Sequence, residues 1–306
     1  MGASVRVFQV DAFTSQRFCG NPAGVVLDAD MLAEEEMRAL ARELGNRDTA
    51  FLLRPDAPDH DLRVRFFTPR NEAAFVGHAT LAAHAVLASL QLPARPRQKQ
   101  KAGLVQIETL IGSPTRIAIR QPVPRLLRNV DGHELEAVLA ALQLTRADLD
   151  PHCPAMIAGE TSTRLLLGVR DAGLLGRIRP DDARLIALSQ DMGAPGYFVF
   201  ALDSGATELR TEARMFCPAL GIDEDPVSGN AHGLLGTYLL QHDLFPPHLL
   251  AAATRSGQIG FSGFQGRFLG RPGRVDVVLR LEQGALHSVS IAGEAVIVFA
   301  ATVEFP

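Results

Sequence analysis

Two short stretches of this chain gather the residue types that proton chemistry needs. Residues 65–81 read R-F-F-T-P-R-N-E-A-A-F-V-G-H-A-T-L, and residues 214–234 read R-M-F-C-P-A-L-G-I-D-E-D-P-V-S-G-N-A-H-G-L. Both open on Arg-x-Phe-x-Pro, at Arg65 and Arg214. Both carry acids, Glu72 in one and Asp223, Glu224 and Asp225 in the other. Both end in a glycine–polar pair, Gly77-His78 and Gly229-Asn230, that opens an apolar helical run. His78 therefore sits where the first backbone N–H groups of a helix lack intrahelical partners, a place that suits a substrate carboxylate. The positive helix end lowers imidazole basicity and favours a neutral His78 as donor or proton relay; a plain capping role stays open. Asp225 is locked between Pro226 and the helix start, where it can orient an amine or hold a proton, whereas Asp223 and Glu224 also read as a solvated acidic loop. Ser228 and Asn230 can donate to a carboxylate or cap the helix. Asp48 follows an amphipathic helix and precedes a strand. Burial there would raise its carboxyl toward the range of a general base; the other reading is a turn residue.

The elements that must hold these residues follow from periodicity. Val5–Phe13 reads as a first strand, and Gly20–Gly24 as a turn that returns in strand Val25–Leu27. Ala33–Leu44 is an amphipathic helix, with Met37, Leu40, Ala41 and Leu44 on one face and Glu34, Glu35 and Glu36 in its first turn. Strands are expected at Ala50–Leu53, Leu62–Phe67, Val105–Glu108, Arg116–Ile119, Leu165–Val169, Gly196–Ala201, Val275–Arg280, His287–Ile291 and Ala295–Phe299. Helices are expected at Glu134–Leu142 and Asp181–Asp191. The runs His78–Leu92 and Ala231–Leu240 leave almost no polar face, so each is a helix buried on every side. Pro93–Lys101 reads as a surface loop, and Ser256–Gly270, with five glycines, as an irregular segment. The repeat, roughly one domain length apart, implies two similar lobes. These are residues 1–122 with a returning strand at about 295–306, and residues 123–294.

Composition narrows the function. The chain has 306 residues, 47% hydrophobic and 21% charged, with a net charge of −4. That is enough for a sizeable core and carries no basic footprint for nucleic acid. Cys19, Cys153 and Cys217 form no CxxC pair and no disulfide framework. The histidines lack HExxH spacing, so no metal is expected, and His84 reads as core. The glycines at 257, 260, 263 and 266 make neither a phosphate loop nor a dinucleotide fingerprint. Met1–Val10 lacks the marks of a signal peptide, and no apolar run reaches membrane-spanning length. A cytoplasmic protein without membrane or nucleic-acid partners is the expectation.

Six ordered fragments carry a resemblance. They are Asp11-Ala12-Phe13-Thr14 with Gly20-Asn21-Pro22-Ala23, Asp48-Thr49-Ala50-Phe51, Phe67-Thr68-Pro69 with Gly77-His78-Ala79-Thr80, Arg214-Met215-Phe216 with Pro218-Ala219, Glu224-Asp225-Pro226-Val227-Ser228-Gly229, and Gly270-Arg271-Pro272-Gly273-Arg274. Together the chain resembles the PhzF-like isomerase family, relatives of the phenazine-biosynthesis isomerase, of the diaminopimelate-epimerase-like fold. The resemblance implies an α+β protein of two lobes, each a curled, barrel-like mixed sheet around a central buried helix, with the active site in the cleft. It implies cofactor-free proton transfer on a small, amine-bearing carboxylate, and a homodimer. Carried onto this chain, Asp48, His78 and Asp225 are the catalytic set, and Asn21, Gly77, Ser228, Gly229 and Asn230 bind substrate.

Two departures stand out. The family reads Ser-Glu-Thr-Ala-Phe where this chain has Arg47-Asp48-Thr49-Ala50-Phe51, and the isomerase has serine at Asn230. A carboxylate one methylene shorter implies a reshaped cleft, a different substrate, or a silent member that binds a metabolite or partner. A two-thiol epimerase or racemase needs cysteines directly before both helix-opening glycines, where this chain has Val76 and Ser228. Loops such as Cys153–Thr163 and Gly257–Gly266 are expected to choose the substrate.

Overall fold

The computed structural model describes residues 4–159, 162–205 and 207–305. Residues 1–3 of the N-terminal stretch, residues 160 and 161 of the loop 153–163, and Pro306 lie outside the described residues. The chain divides into two compact units, Met1–Arg120 with Ala292–Pro306, and Gln121–Ile291.

In unit 1, strand Ser4–Ala12 pairs antiparallel with both Ala295–Glu304 and Asn21–Leu27. Asn21–Leu27 runs parallel to Thr49–Leu53, which pairs antiparallel with Leu62–Phe67. Leu62–Phe67 pairs antiparallel with the short strand Glu72–Ala73 and parallel with Arg97–Gln100. Unit 2 repeats the same order. Strand Met156–Ala158 lies between Leu126–Asn129 and Arg164–Val169, both antiparallel. Arg164–Val169 is parallel to Tyr197–Ser204, which is antiparallel to Leu209–Cys217. Leu209–Cys217 is antiparallel to Ile222–Asp225 and parallel to Gln258–Gln265. The fold is thus mixed α+β, two similar lobes with one pairing scheme.

Each sheet has a helix-covered face on either side, and period-two alternation sorts its residues between them. In unit 1, Met37, Leu40 and Ala41 of helix Glu34–Leu44 close a core with Val5, Val7, Val26, Phe51, Leu53 and Phe67. Gly45, at φ 66°, ends that helix in the left-handed conformation glycine adopts readily. The other face carries helix Gly77–Ser89, whose Ala79, Leu81, Ala82, Ala83 and Val86 are all fully buried. In unit 2, Tyr197, Val199 and Ala201 face a core built with helices Gly132–Leu142 and Asp182–Met192. Phe198 and Phe200 take the opposite face, against His232 and Tyr238 of helix Gly229–Gln241, with ring centroids 5.1 and 5.7 Å apart.

Three stretches differ from the sequence reading. Asn21–Gly24 is strand rather than turn, because its backbone is ladder-bonded to Ser4–Ala12. The glycine-rich stretch after Ser256 is mostly the strand Gln258–Gln265; its glycines mark close approach by neighbours, not irregularity. Arg97–Gln100 is also strand, and its cations are paired: Arg97 with Asp61 at 2.6 Å and Lys99 with Asp56 at 2.9 Å. Helix Pro247–Ser256 and strand Leu209–Cys217 are additional elements.

Register aligns the two units residue by residue. Phe51 faces Arg65 as Val199 faces Arg214, so Arg65 corresponds to Arg214. By the same ladders, Gln98 corresponds to Gly263 and Gln100 to Gln265. In unit 1, Thr80 Oγ1 donates to Val76 O at 2.8 Å, and Gln98 fills the space beyond. In unit 2 the larger His232 donates from Nδ1 to Ser228 O at 2.8 Å, and the facing residue is Gly263. A Cβ on Gly263 would overlap the His232 ring. Gly263→Ala is therefore expected to cost about 1–3 kcal/mol by overpacking. Adding His232→Thr, which copies the unit 1 solution, should recover part of that loss. Chemical denaturation of the single and double variants checks it, and a neutral single substitution would refute it.

Candidate functional site

In unit 1 the site begins at the end of helix Glu34–Leu44. After Gly45, Asn46 exchanges two amide hydrogen bonds with Gln9 of the first strand, at 2.8 and 2.7 Å. That tie fixes the link into strand Thr49–Leu53 and carries Asp48 inward, where it is 4% exposed. The strand Leu62–Phe67 turns through Glu72–Ala73 and delivers Gly77 and His78 to the first turn of helix Gly77–Ser89. His78 Nε2 lies 3.6 Å from Asp48 Oδ2, and Arg47 Nε lies 3.6 Å from the same oxygen. Asn21 is buried at the start of its strand.

The imidazole is held neutral. Burial, reinforced by the Arg47 charge, pushes His78 down to about 3. Its Nε2 is buried and makes no hydrogen bond among the described residues. Val76, at the N-cap, offers no side-chain cap. Unit 1 thus presents a buried carboxylate, a neutral imidazole and an uncapped helix start in one place, a set that can abstract or relay a proton and bind an anion.

In unit 2, Asp225 ends strand Ile222–Asp225 and is 5% exposed. Ser228 is the N-cap of helix Gly229–Gln241, its Oγ accepting from Ala231 N at 3.2 Å. Gly229 and Asn230 form the first turn, and Asn230 Oδ1 is buried without a hydrogen-bond partner among the described residues. His78 and Asn230, matched in the repeat, therefore both aim an unbonded polar atom from the first turn of a buried helix. Such atoms are costly to bury without a partner.

The repeat does not duplicate the acids. Asp48 O accepts from Gly24 N as Gly196 O accepts from Leu165 N, so Asp48 corresponds to Gly196. Phe66 faces Ala73 as Met215 faces Asp225, so Asp225 corresponds to Ala73. Each unit carries one buried carboxylate at a position where the other has a small residue. Glu72 and Glu224 have a different task. Arg65 Nε donates to Glu72 at 2.8 Å and Arg214 Nε to Glu224 at 2.9 Å. Each guanidinium also lies over a phenylalanine ring, Phe67 at 4.9 Å and Phe216 at 4.8 Å. The repeated Arg-x-Phe signal was visible in sequence; its clasp with the acid was not, because the spacing to the acid differs between the copies.

The three cysteines form no disulfide, Cys153 and Cys217 are buried, and burial pushes the Cys153 thiol up to about 12. His84 is core, donating from Nε2 to Gln98 Oε1 at 2.9 Å. No helix of the described residues is long and apolar enough to cross a membrane.

The fold is a mixed α+β duplication with a buried acid in each unit and a buried helix that Ser228 caps in unit 2 and no side chain caps in unit 1. Residues 10–301 match the PhzC-PhzF family, phenazine biosynthesis-like proteins, and the chain belongs to that family. It is 39% identical to the uncharacterized isomerase YddE of Escherichia coli K12, over 96% of each chain. It is 30% identical to the trans-2,3-dihydro-3-hydroxyanthranilate isomerase of Pseudomonas aeruginosa, over 79% of this chain and 82% of that one. A PhzF-family structure from Bacillus anthracis superposes with a TM-score of 0.85 at 27% identity, covering 98% of this chain and 99% of the other. These relatives place the chain among the isomerases.

The buried histidines set a pH window. His78 titrates near 3, and His84 and His232 near 4, all lowered chiefly by burial. In the unfolded chain each binds a proton below about 6.5. Between those values the unfolded state holds more protons, so stability rises with pH and is complete above about 6.5. It falls as pH drops through the window, by up to about 1.4 kcal/mol per pH unit for each histidine. His84→Gln is expected to flatten the dependence of the urea midpoint on pH between 6.5 and 4. An unchanged slope would mean His84 titrates normally.

Proposed function

We propose that this chain is a cofactor-independent isomerase that moves a proton between two carbons of a small carboxylate bearing an amine. The single observation that carries the reading is the buried pair of Asp48 and His78, 3.6 Å apart, with the imidazole neutral and its Nε2 unbonded. Asp48 takes the proton from one carbon, the released C–H pair forms a new double bond to the next carbon, the pair of the existing double bond shifts to the far carbon, and the proton is returned there. His78 donates to the substrate or relays the proton. Asp225 orients the amine. Gly77 at the unit 1 helix start, Ser228, Gly229 and Asn230 at the unit 2 helix start, and Asn21 are the substrate-binding groups of this reading. Exclusion of water strengthens each contact to the substrate.

Asp48 in place of glutamate favours a second reading, a metabolite-binding member without turnover. A positional error near 1 Å costs on the order of 100-fold in rate. The two readings separate in deuterium oxide. The parent is incubated with trans-2,3-dihydro-3-hydroxyanthranilate and with a set of small 2-amino carboxylates, and carbon-bound deuterium is followed. Turnover predicts labelling of at least one compound, reduced by about 10²–10⁴-fold in Asp48→Asn. A compound that raises Tm yet acquires no deuterium supports binding alone. Labelling by Asp48→Asn at the parent's rate would remove Asp48 as the base.

A further inference from the structure

We propose that Gln265 is the positioning residue of unit 2, the side chain that sets where Asp225, Ser228 and Asn230 stand; this rests on the isomerase reading above. Gln265 ends strand Gln258–Gln265 and is 1% exposed. Its amide spans the segment that joins the acid to the helix. Nε2 donates to the carbonyl of Asp225 at 2.6 Å, and Oε1 accepts from the backbone N–H of Ser228 at 3.0 Å. The two bonds need opposite polarity, so only an amide of this length satisfies both. Between the two anchored residues lies Pro226, whose φ is fixed by its ring.

The rest of the segment is tied in the other direction. Ser228 O accepts from His232 Nδ1 at 2.8 Å, and Ser228 Oγ accepts from Ala231 N at 3.2 Å. Ser228 is thereby held at its nitrogen by the sheet and at both oxygens by its own helix. Asp225 is held at its carbonyl. The next residue, Gly266 at φ 88°, permits the approach, since a Cβ there would lie 2.8 Å from Pro226 O. Only a glycine lets the strand come this close to the loop it holds.

Unit 1 puts the matching glutamine to another use. Gln100 corresponds to Gln265, and its Oε1 accepts from Gln98 Nε2 at 2.9 Å. Gln98 stands where unit 2 has Gly263, so the two copies spend one side chain differently. In unit 2 the glycine makes room for His232, and Gln265 reaches the loop. Gln265 touches no solvent, so its effect on the reaction passes through the residues it holds.

The test uses the whole protein. Gln265→Glu keeps the acceptor for Ser228 N–H but sets an oxygen against Asp225 O. Gln265→Met keeps the length and loses both bonds. A core variant of similar Tm, Val199→Ala, is the control for stability alone. Amide hydrogen exchange is read on peptides covering 222–231, and deuterium incorporation into whichever of the named compounds the parent labels. Gln265→Met is expected to expose the Ser228 amide to faster exchange, while Gln265→Glu, which keeps that acceptor, loosens the Asp225 end of the segment. Both variants are also expected to lower kcat on the order of 100-fold with a smaller change in KM, while Val199→Ala leaves kcat near the parent's. Unchanged exchange at Ser228 in Gln265→Met, or a kcat loss no larger than in Val199→Ala, would overturn the proposal. A parent that labels none of the compounds counts against the isomerase reading instead, and the amide exchange still decides whether Gln265 holds the segment.

Discussion

Both units hang their chemistry on one clasp, an arginine held by a glutamate and laid over a phenylalanine. It fastens the strand pair that feeds the buried helix, Leu62–Phe67 with Glu72–Ala73 in unit 1 and Leu209–Cys217 with Ile222–Asp225 in unit 2. In unit 2 it is the more deeply set: the side chains of Arg214 and Glu224 are 10% and 9% exposed, against 27% and 19% for Arg65 and Glu72. Arg214 also donates to the carbonyls of Leu175 and Ile178, at 2.9 and 3.2 Å. A charge buried to that degree is tolerated because each of its three nitrogens has an acceptor. With the strand ends pinned, the glycine that starts each helix has one place to be.

From that start the polar atoms follow. An apolar helix packed on all sides can still present its first turn, and the residue after the glycine is then the natural carrier of a functional group. His78 and Asn230 occupy that place. Burial keeps the histidine neutral, so it adds no cation beside Arg47. Asp48 approaches from a different strand, steered by the Gln9–Asn46 amide exchange.

Much of this was legible in the amino-acid order, and the limits were physical. Helix Glu34–Leu44 was plain because one face only is buried, so its apolar residues recur at helical spacing. Helices Gly77–Ser89 and Gly229–Gln241 were plain for the opposite reason, an unbroken apolar surface. The repeated Arg-x-Phe-x-Pro announced the duplication. Asn21–Gly24 was misjudged because Gly, Asn and Pro signal turns locally, whereas the pairing with Ser4–Ala12 decides the outcome. The glycines of Gln258–Gln265 misled in the same way, since the need for them comes from His232 and Val277, neighbours only in space. Gln265 could not be found by pattern at all: it lies 40 residues from Asp225, and nothing local in its strand marks it.

The equivalence of Asp48 with Gly196, and of Ala73 with Asp225, has an evolutionary reading. A doubled framework lets one copy lose a costly buried ionisable group while the other keeps it. The two copies differ at both places, each keeping an acid where the other has a small residue. Because both copies lie in one polypeptide, each position can change without changing its counterpart.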